Sequence, residues 1–125
     1  MNKTGDLQKE LDRVYSIWRR KSLADENGMV KCFISGELFH WEEVDLGHYI
    51  PRKHLATRYY DRNCHPQNRV SNRLRDGEDE KYKVSLIKMY GEGIIEELQQ
   101  LKYKTIKDFD YESEIEKYKQ LIKEL

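Results

Sequence analysis

The run Asp45-Leu46-Gly47-His48-Tyr49-Ile50-Pro51-Arg52-Lys53-His54 sets an imidazole three positions after a carboxylate and ends in a proline and a basic cluster. Asn63, His65 and Asn72 follow shortly downstream. These are residue types from which a phosphodiester-hydrolysing centre can be built. It needs a base to activate water, a divalent cation to stabilise charge on the phosphate and the leaving oxygen, and ligands to hold that cation. Carboxylate and amide oxygens suit Mg²⁺, which keeps several of its waters and takes few protein ligands. Each residue also has a plainer reading. Single histidines are commonly structural, as His40 and His54 are taken to be here. Asp45 is equally a cap or ion-pair partner, and Asn63 and Asn72 are equally turn or cap residues.

The surroundings of these residues are basic. Between residues 48 and 75 the cationic side chains are Arg52, Lys53, Arg58, Arg62, Arg69, Arg73 and Arg75, against the single acid Asp61. Most are arginine, whose planar fork suits bidentate phosphate contacts better than lysine does. Tyr49, Tyr59 and Tyr60 are interleaved with them, which favours a nucleic-acid footprint over an ordinary solvated loop. Residues 108–125 are acidic, with six carboxylates against three lysines. The formal net charge of zero therefore conceals a basic middle and an acidic end. It excludes attraction of nucleic acid by the whole surface, but not by a local patch.

Stepping outward, 125 residues suit one domain with a usable core. Leu7, Leu11, Val14 and Trp18 share one face of a helix over about 7–23, with Lys9, Arg13 and Arg20 opposite. Met29–Ile34 and Leu38–Val44 read as a hairpin around Ser35-Gly36-Glu37, and Leu46–Ile50 as a possible further strand. Residues 51–65 read as irregular, followed by a short helix over Pro66–Leu74. Helix resumes over Asp79–Leu101, weakened by the glycines at 91 and 93. Tyr111, Ile115, Tyr118, Ile122 and Leu125 mark a last amphipathic helix, started by a capping box at Ser113 or earlier, at Asp108 or Asp110. This face is core or a subunit seam. With no secretory signal and no long apolar run, the chain is expected to be intracellular and off the membrane, with Cys32 and Cys64 reduced.

The strings "DLGHYIPR", "DRNCHPQN" and "SNR", in that order, resemble the HNH (His-Me finger) endonucleases. More narrowly they resemble the phage NinG/Rap recombination-protein family, associated with cutting branched recombination intermediates. "LADENGMVKCFISGE" and "YKVSLIKMYGEGIIEEL" extend the likeness to about residues 10–122. The resemblance implies an α+β single domain with a ββα-metal centre over about 45–76 and flanking helices. It implies His48 as general base, Asn72 as a metal-binding position, and Asn63 as a brace of the loop that helps orient the histidine. Many relatives carry an Asp directly before the base, where this chain has Gly47. Asp45, two residues earlier and on the same side of a strand, is the expected carboxylate ligand. His65 is a further candidate for metal or phosphate. Relatives often hold structural zinc with two Cys-x-x-Cys pairs. Here the matching positions read Cys32-x-x-Ser35 and Asn68-x-x-Ser71, so no structural zinc is expected. Phe33, Phe39 and Trp41 are available to pack in its place, and Cys64 is expected to be a small buried hydrophobe.

The combined expectation is a Mg²⁺- or Mn²⁺-dependent DNA endonuclease of phage or prophage origin, acting in a bacterial cytoplasm. DNA contacts fall to Arg52, Lys53, Arg58, Arg62, Arg69, Arg73 and Arg75. Two-fold branched DNA would suit a homodimer. The rival is a non-catalytic junction-binding or recombination accessory protein derived from such a nuclease.

Overall fold

The first helix, α1 (Lys3–Ser22), buries Leu11, Val14 and Tyr15, with Leu7 and Trp18 packed beside them. Asp6 in its first turn and Arg19, Arg20 and Lys21 in its last turn complement the helix dipole. The computed structural model describes residues 3–74 and 78–125, so the DNA contact expected of Arg75 lies outside the described residues. After α1, Asp25 Oδ1 accepts the backbone N–H groups of Asn27 and Met29, both at 2.9 Å. Gly28 completes this turn at φ +79°, with the His40 ring where a side chain would have to go.

The hairpin is shorter than its composition indicates. Strands β1 (Met29–Lys31) and β2 (Leu38–His40) pair antiparallel over three residues each. Trp41–Glu43 then forms a 3-10 turn, capped by His40 Nδ1 accepting the Glu42 N–H at 3.3 Å. Val44 belongs instead to β3 (Val44–His48).

β3 pairs antiparallel with β4 (Cys64–Asn68), aligning Asp45 with Gln67, Gly47 with His65 and His48 with Cys64. This corrects the reading of 51–65 as irregular and of a helix from Pro66. Between the strands lie α2 (Leu55–Arg58) and a 3-10 turn over Asp61–Asn63. Pro66, which has no N–H to give to a ladder, sits opposite Leu46, and its carbonyl accepts the Phe33 N–H at 2.8 Å. Helix α3 (Arg69–Leu74) follows β4 without a linker.

The long helical stretch breaks at the glycines, as expected, into α4 (Glu78–Tyr90) and α5 (Ile94–Leu101). Gly91, at φ +99°, donates its N–H to the Ile87 carbonyl and ends α4. The last helix, α6 (Tyr111–Lys123), starts at Asp110, whose carboxylate accepts the Ser113 N–H at 3.0 Å, so the alternative start at Ser113 is set aside.

Two apolar clusters flank the β3–β4 pair. One joins Cys64 and Leu46 to α1 and α6 through Leu11, Val14, Tyr15, Ile115 and Tyr118. The other joins Ile50 to α4 and α5 through Tyr82, Leu86, Ile94 and Leu98. Both cysteines are buried and free, and Cys64 packs as a small hydrophobe within the first cluster. Among the described residues no helix is long and apolar enough to cross a membrane.

The four positions matching the zinc ligands of relatives meet in space. Cys32 Sγ accepts from the Asn68 backbone N–H at 3.4 Å and from Asn68 Nδ2 at 3.5 Å. Asn68 Oδ1 accepts the Ser71 N–H at 2.8 Å. Burial opposes ionisation of Cys32, but hydrogen bonds from Ser35 and the surrounding backbone outweigh it and lower the thiol pKa. A chain of hydrogen bonds thus joins the hairpin to the β4–α3 junction. Phe33 adds a stack on the His65 ring, with centroids 3.9 Å apart.

Candidate functional site

A cavity of about 530 Å³ opens between α1, β3 and α3, lined by Asp45, His48, Asn72, Arg52 and Arg69 among others. Asp45 and His48 come from β3 and Asn72 from α3. Asn72 Nδ2 donates to Asp45 Oδ2 at 3.0 Å. Arg69 Nε stands 3.5 Å from Asp45 Oδ1, and Arg73 Nε stands 3.8 Å from Oδ2. The one-turn spacing of Arg69 and Arg73 lets both reach the same carboxylate.

His48 Nε2 stands 2.9 Å from the Arg58 carbonyl oxygen, and the Leu46 backbone also hydrogen-bonds the ring. A carbonyl only accepts, so the Arg58 contact places a hydrogen on Nε2. Burial lowers the His48 pKa to about 4, against the raising effect of the Arg58 carbonyl. The imidazole is therefore neutral at physiological pH, the form a general base requires.

Asn63 lies outside the cavity and is fully buried. Its Oδ1 accepts the Ile50 N–H at 2.8 Å, and its Nδ2 donates to the carbonyls of Ile50 and Thr57, both at 3.1 Å. It ties the end of the 49–57 segment to the start of β4.

His65, expected as a metal or phosphate contact, is not among the residues lining the cavity. It is 2 % exposed, with Nδ1 3.2 Å from the Tyr82 hydroxyl and Nε2 2.7 Å from that of Tyr90. Burial lowers its pKa to about 3. Gln67, next on the same face of β4, fills the space beside Gly47. A Cβ on Gly47 would lie 2.1 Å from Gln67 Oε1, so a carboxylate directly before His48 would require Gln67 to move.

The basic residues divide into two groups. Arg52 and Arg69 line the cavity, and Arg73 stands beside it, 71 % exposed, against Asp45. Lys53 is exposed next to Arg52. Arg58, by contrast, is 13 % exposed and forks onto Asp12 with Nε and Nη2 at 2.9 and 2.5 Å. Arg62 pairs with Glu97 at 3.2 Å and lies over the Tyr90 ring. Arg58 and Arg62 thus make ties within the fold.

Sequence reading missed the contribution of α1. Asp12, Ser16 and Arg20 all line the cavity. Arg20, placed on the outer face by helical spacing, instead donates to the carbonyls of Trp41 (2.9 Å) and Val44 (3.3 Å). Helical periodicity marks an apolar stripe, and these polar residues flank that stripe where it meets β3.

Asp45 and Asn72 contribute a carboxylate and an amide to the cavity lining, groups whose oxygens suit a hard cation that keeps most of its water. Among the described residues, no group of three or more His, Cys, Asp or Glu side chains is arranged to hold a metal ion. Comparison with curated proteins gives no match, and comparison with solved structures gives none. The bacteriophage lambda NinG protein family matches residues 1–125. The chain thus belongs to the bacteriophage lambda NinG family.

Proposed function

We propose that this protein is a metal-dependent endonuclease of the HNH type, hydrolysing DNA phosphodiester bonds in branched recombination intermediates. The observation that carries this reading is the convergence of Asp45, His48 and Asn72 on one cavity edged by arginines. The succession β3–β4–α3 supports a ββα-metal centre around it. Membership of a phage family supports the recombination setting.

In this reading neutral His48 takes a proton from water, which attacks the phosphorus. Asp45 and Asn72 would hold Mg²⁺ or Mn²⁺, which supplies charge stabilisation at the phosphate and the departing 3′ oxygen. Arg52, Arg69 and Arg73 bind flanking phosphates, and on arrival of DNA and cation Arg69 and Arg73 exchange Asp45 for phosphate. The products carry 5′-phosphate and 3′-hydroxyl ends. Binding runs through the backbone, so substrate choice follows DNA shape more than sequence.

A second reading is favoured by Gly47 before His48 and by the arginines neutralising Asp45: a recombination accessory protein that binds junctions without cutting them. One experiment separates the two. A labelled four-way junction and a matching duplex are incubated with Mg²⁺, Mn²⁺ or EDTA and with wild type, His48→Ala or Asp45→Asn. Metal-dependent cutting, abolished in His48→Ala and greater on the junction, supports the nuclease. Tight junction binding without cutting under either metal supports the accessory protein.

A further inference from the structure

Asp45 faces the cavity from β3, and α3 meets it with nitrogen donors. Asn72 Nδ2 donates to its Oδ2 at 3.0 Å, Arg73 Nε stands 3.8 Å from the same oxygen, and Arg69 Nε stands 3.5 Å from Oδ1. All three partners lie on the six residues of α3. A cation arriving at Asp45 therefore meets N–H groups where it needs lone pairs. Asp12, the other carboxylate of the lining, is engaged in the same way. Arg58 forks onto it, and the Tyr59 hydroxyl donates to it at 2.7 Å.

The charge around the cavity points in the same direction. Asp12 and Asp45 are lined up against Arg20, Arg52 and Arg69, with Arg58 and Arg73 held on the two carboxylates from beside. A cavity with two acids and five arginines about it attracts anions and repels a free divalent cation. The ion pairs on Asp45 are also easily exchanged. The Arg69 and Arg73 side chains are 50 % and 71 % exposed, and their distances to Asp45 exceed those of a good hydrogen bond. Ion pairs this exposed contribute little, whereas a phosphate offers each guanidinium a bidentate partner. Both side chains are long enough to swing toward a phosphate without movement of α3.

We infer that Arg69 and Arg73 lock the Asp45 carboxylate, so that the protein takes up its divalent cation only after DNA phosphates have drawn the two arginines away. The inference rests on the reading of Asp45 and Asn72 as holders of that cation. It sets an order, DNA first and cation second. Away from DNA the chain carries no cation with which to hydrolyse anything else. By linkage, the bound cation tightens the hold on DNA by the same factor by which DNA tightens the hold on the cation.

The test is a Mn²⁺ titration of the whole chain, read by paramagnetic broadening of the Asn72 side-chain amide in NMR spectra. This resonance reports the cavity and not the acidic end of the chain. Without DNA, the variant Arg69→Gln/Arg73→Gln is expected to bind Mn²⁺ at this site on the order of tenfold more tightly than wild type, a usual size for coupling between two ligands. Arg62→Gln, which removes an equal charge away from the cavity, should match wild type. If the double variant does not fold, Arg73→Gln alone, at a mostly exposed position, is read in the same way. A second titration adds the four-way junction to proteins that also carry His48→Ala, so that the DNA stays whole. There the junction should bring Mn²⁺ to Asn72 at concentrations that leave the DNA-free protein unchanged. Equal Mn²⁺ affinity at Asn72 in wild type and in the double variant overturns the lock, and with a wild type that cuts it leaves the nuclease reading standing. A junction that does not raise the affinity overturns the order of binding. No broadening of Asn72 in any protein, with or without DNA, overturns the cation site and with it both readings.

Discussion

Gln67 occupies the space a side chain at position 47 would need, its Oε1 only 2.1 Å from where a Cβ on Gly47 would sit. Gln67 cannot simply swing aside. Its Nε2 donates to Ser71 Oγ at 2.8 Å, and that hydroxyl donates to Glu78 Oε2 at 3.1 Å. Placing the carboxylate of relatives at this position, Gly47→Asp, is expected to destabilise the fold by about 2 kcal/mol through overpacking. Urea unfolding checks this, and adding Gln67→Ser is expected to recover most of the loss. A tolerated Gly47→Asp would show that the β3–β4 pair gives way more easily than its hydrogen bonds imply.

Asn63 is the most heavily used buried polar side chain near the site. Asn63→Ala leaves the Ile50 N–H and carbonyl without their Asn63 partner, while the Thr57 carbonyl keeps the Tyr60 N–H. The expected loss is about 3 kcal/mol, since each unsatisfied buried group carries its own desolvation cost. Asn63→Asp should be no better, because it sets carboxylate oxygens against two carbonyls. Chemical denaturation of both variants tests the order.

Stability should depend on pH through two histidines. His48 and His65 have folded pKa values lowered by burial to about 4 and about 3. The unfolded chain takes up these protons as pH falls below about 6.5, the ordinary histidine value, while the folded chain does not. Their contribution is therefore fully present above pH 6.5 and lost on acidification toward pH 4. The expected slope is about 1.4 kcal/mol per pH unit for each histidine. Denaturation between pH 7 and 5 measures it. In His65→Gln the slope should fall by the share of one histidine, and an unchanged slope would mean that His65 is protonated in the fold.

The arginines should separate in DNA binding. Arg73→Gln is expected to weaken junction binding across sequences and to lower the salt slope of the affinity by about one. Arg62→Gln, which loses only the partly exposed pair with Glu97, should leave both unchanged and cost under about 1 kcal/mol of stability. Fluorescence anisotropy over a salt series distinguishes them. Equal effects from the two substitutions would mean that DNA also contacts the α5 side of the molecule.

Local rules carried much of the structure. The apolar stripe of α1, the break at Gly91 and the amphipathic α6 follow from spacing within one element, where neighbours in sequence are neighbours in space. The family-like order of Asp45, His48 and Asn72 likewise anticipated three residues that share one cavity. Strand β4 was not legible, because it is five residues long, contains Pro66 and is stabilised by pairing with a distant segment. The side of β4 on which His65 falls depends on strand register, where one step exchanges the faces. That register turns His65 toward Tyr82 and Tyr90 and away from the cavity. Sequence spacing also could not separate Arg58 and Arg62, internal ties, from Arg52, Arg69 and Arg73 at the cavity. The difference lies in partners on α1 and α5, far away along the chain. The same holds for Asp12 and Arg20, which became site residues only when α1 packed against β3.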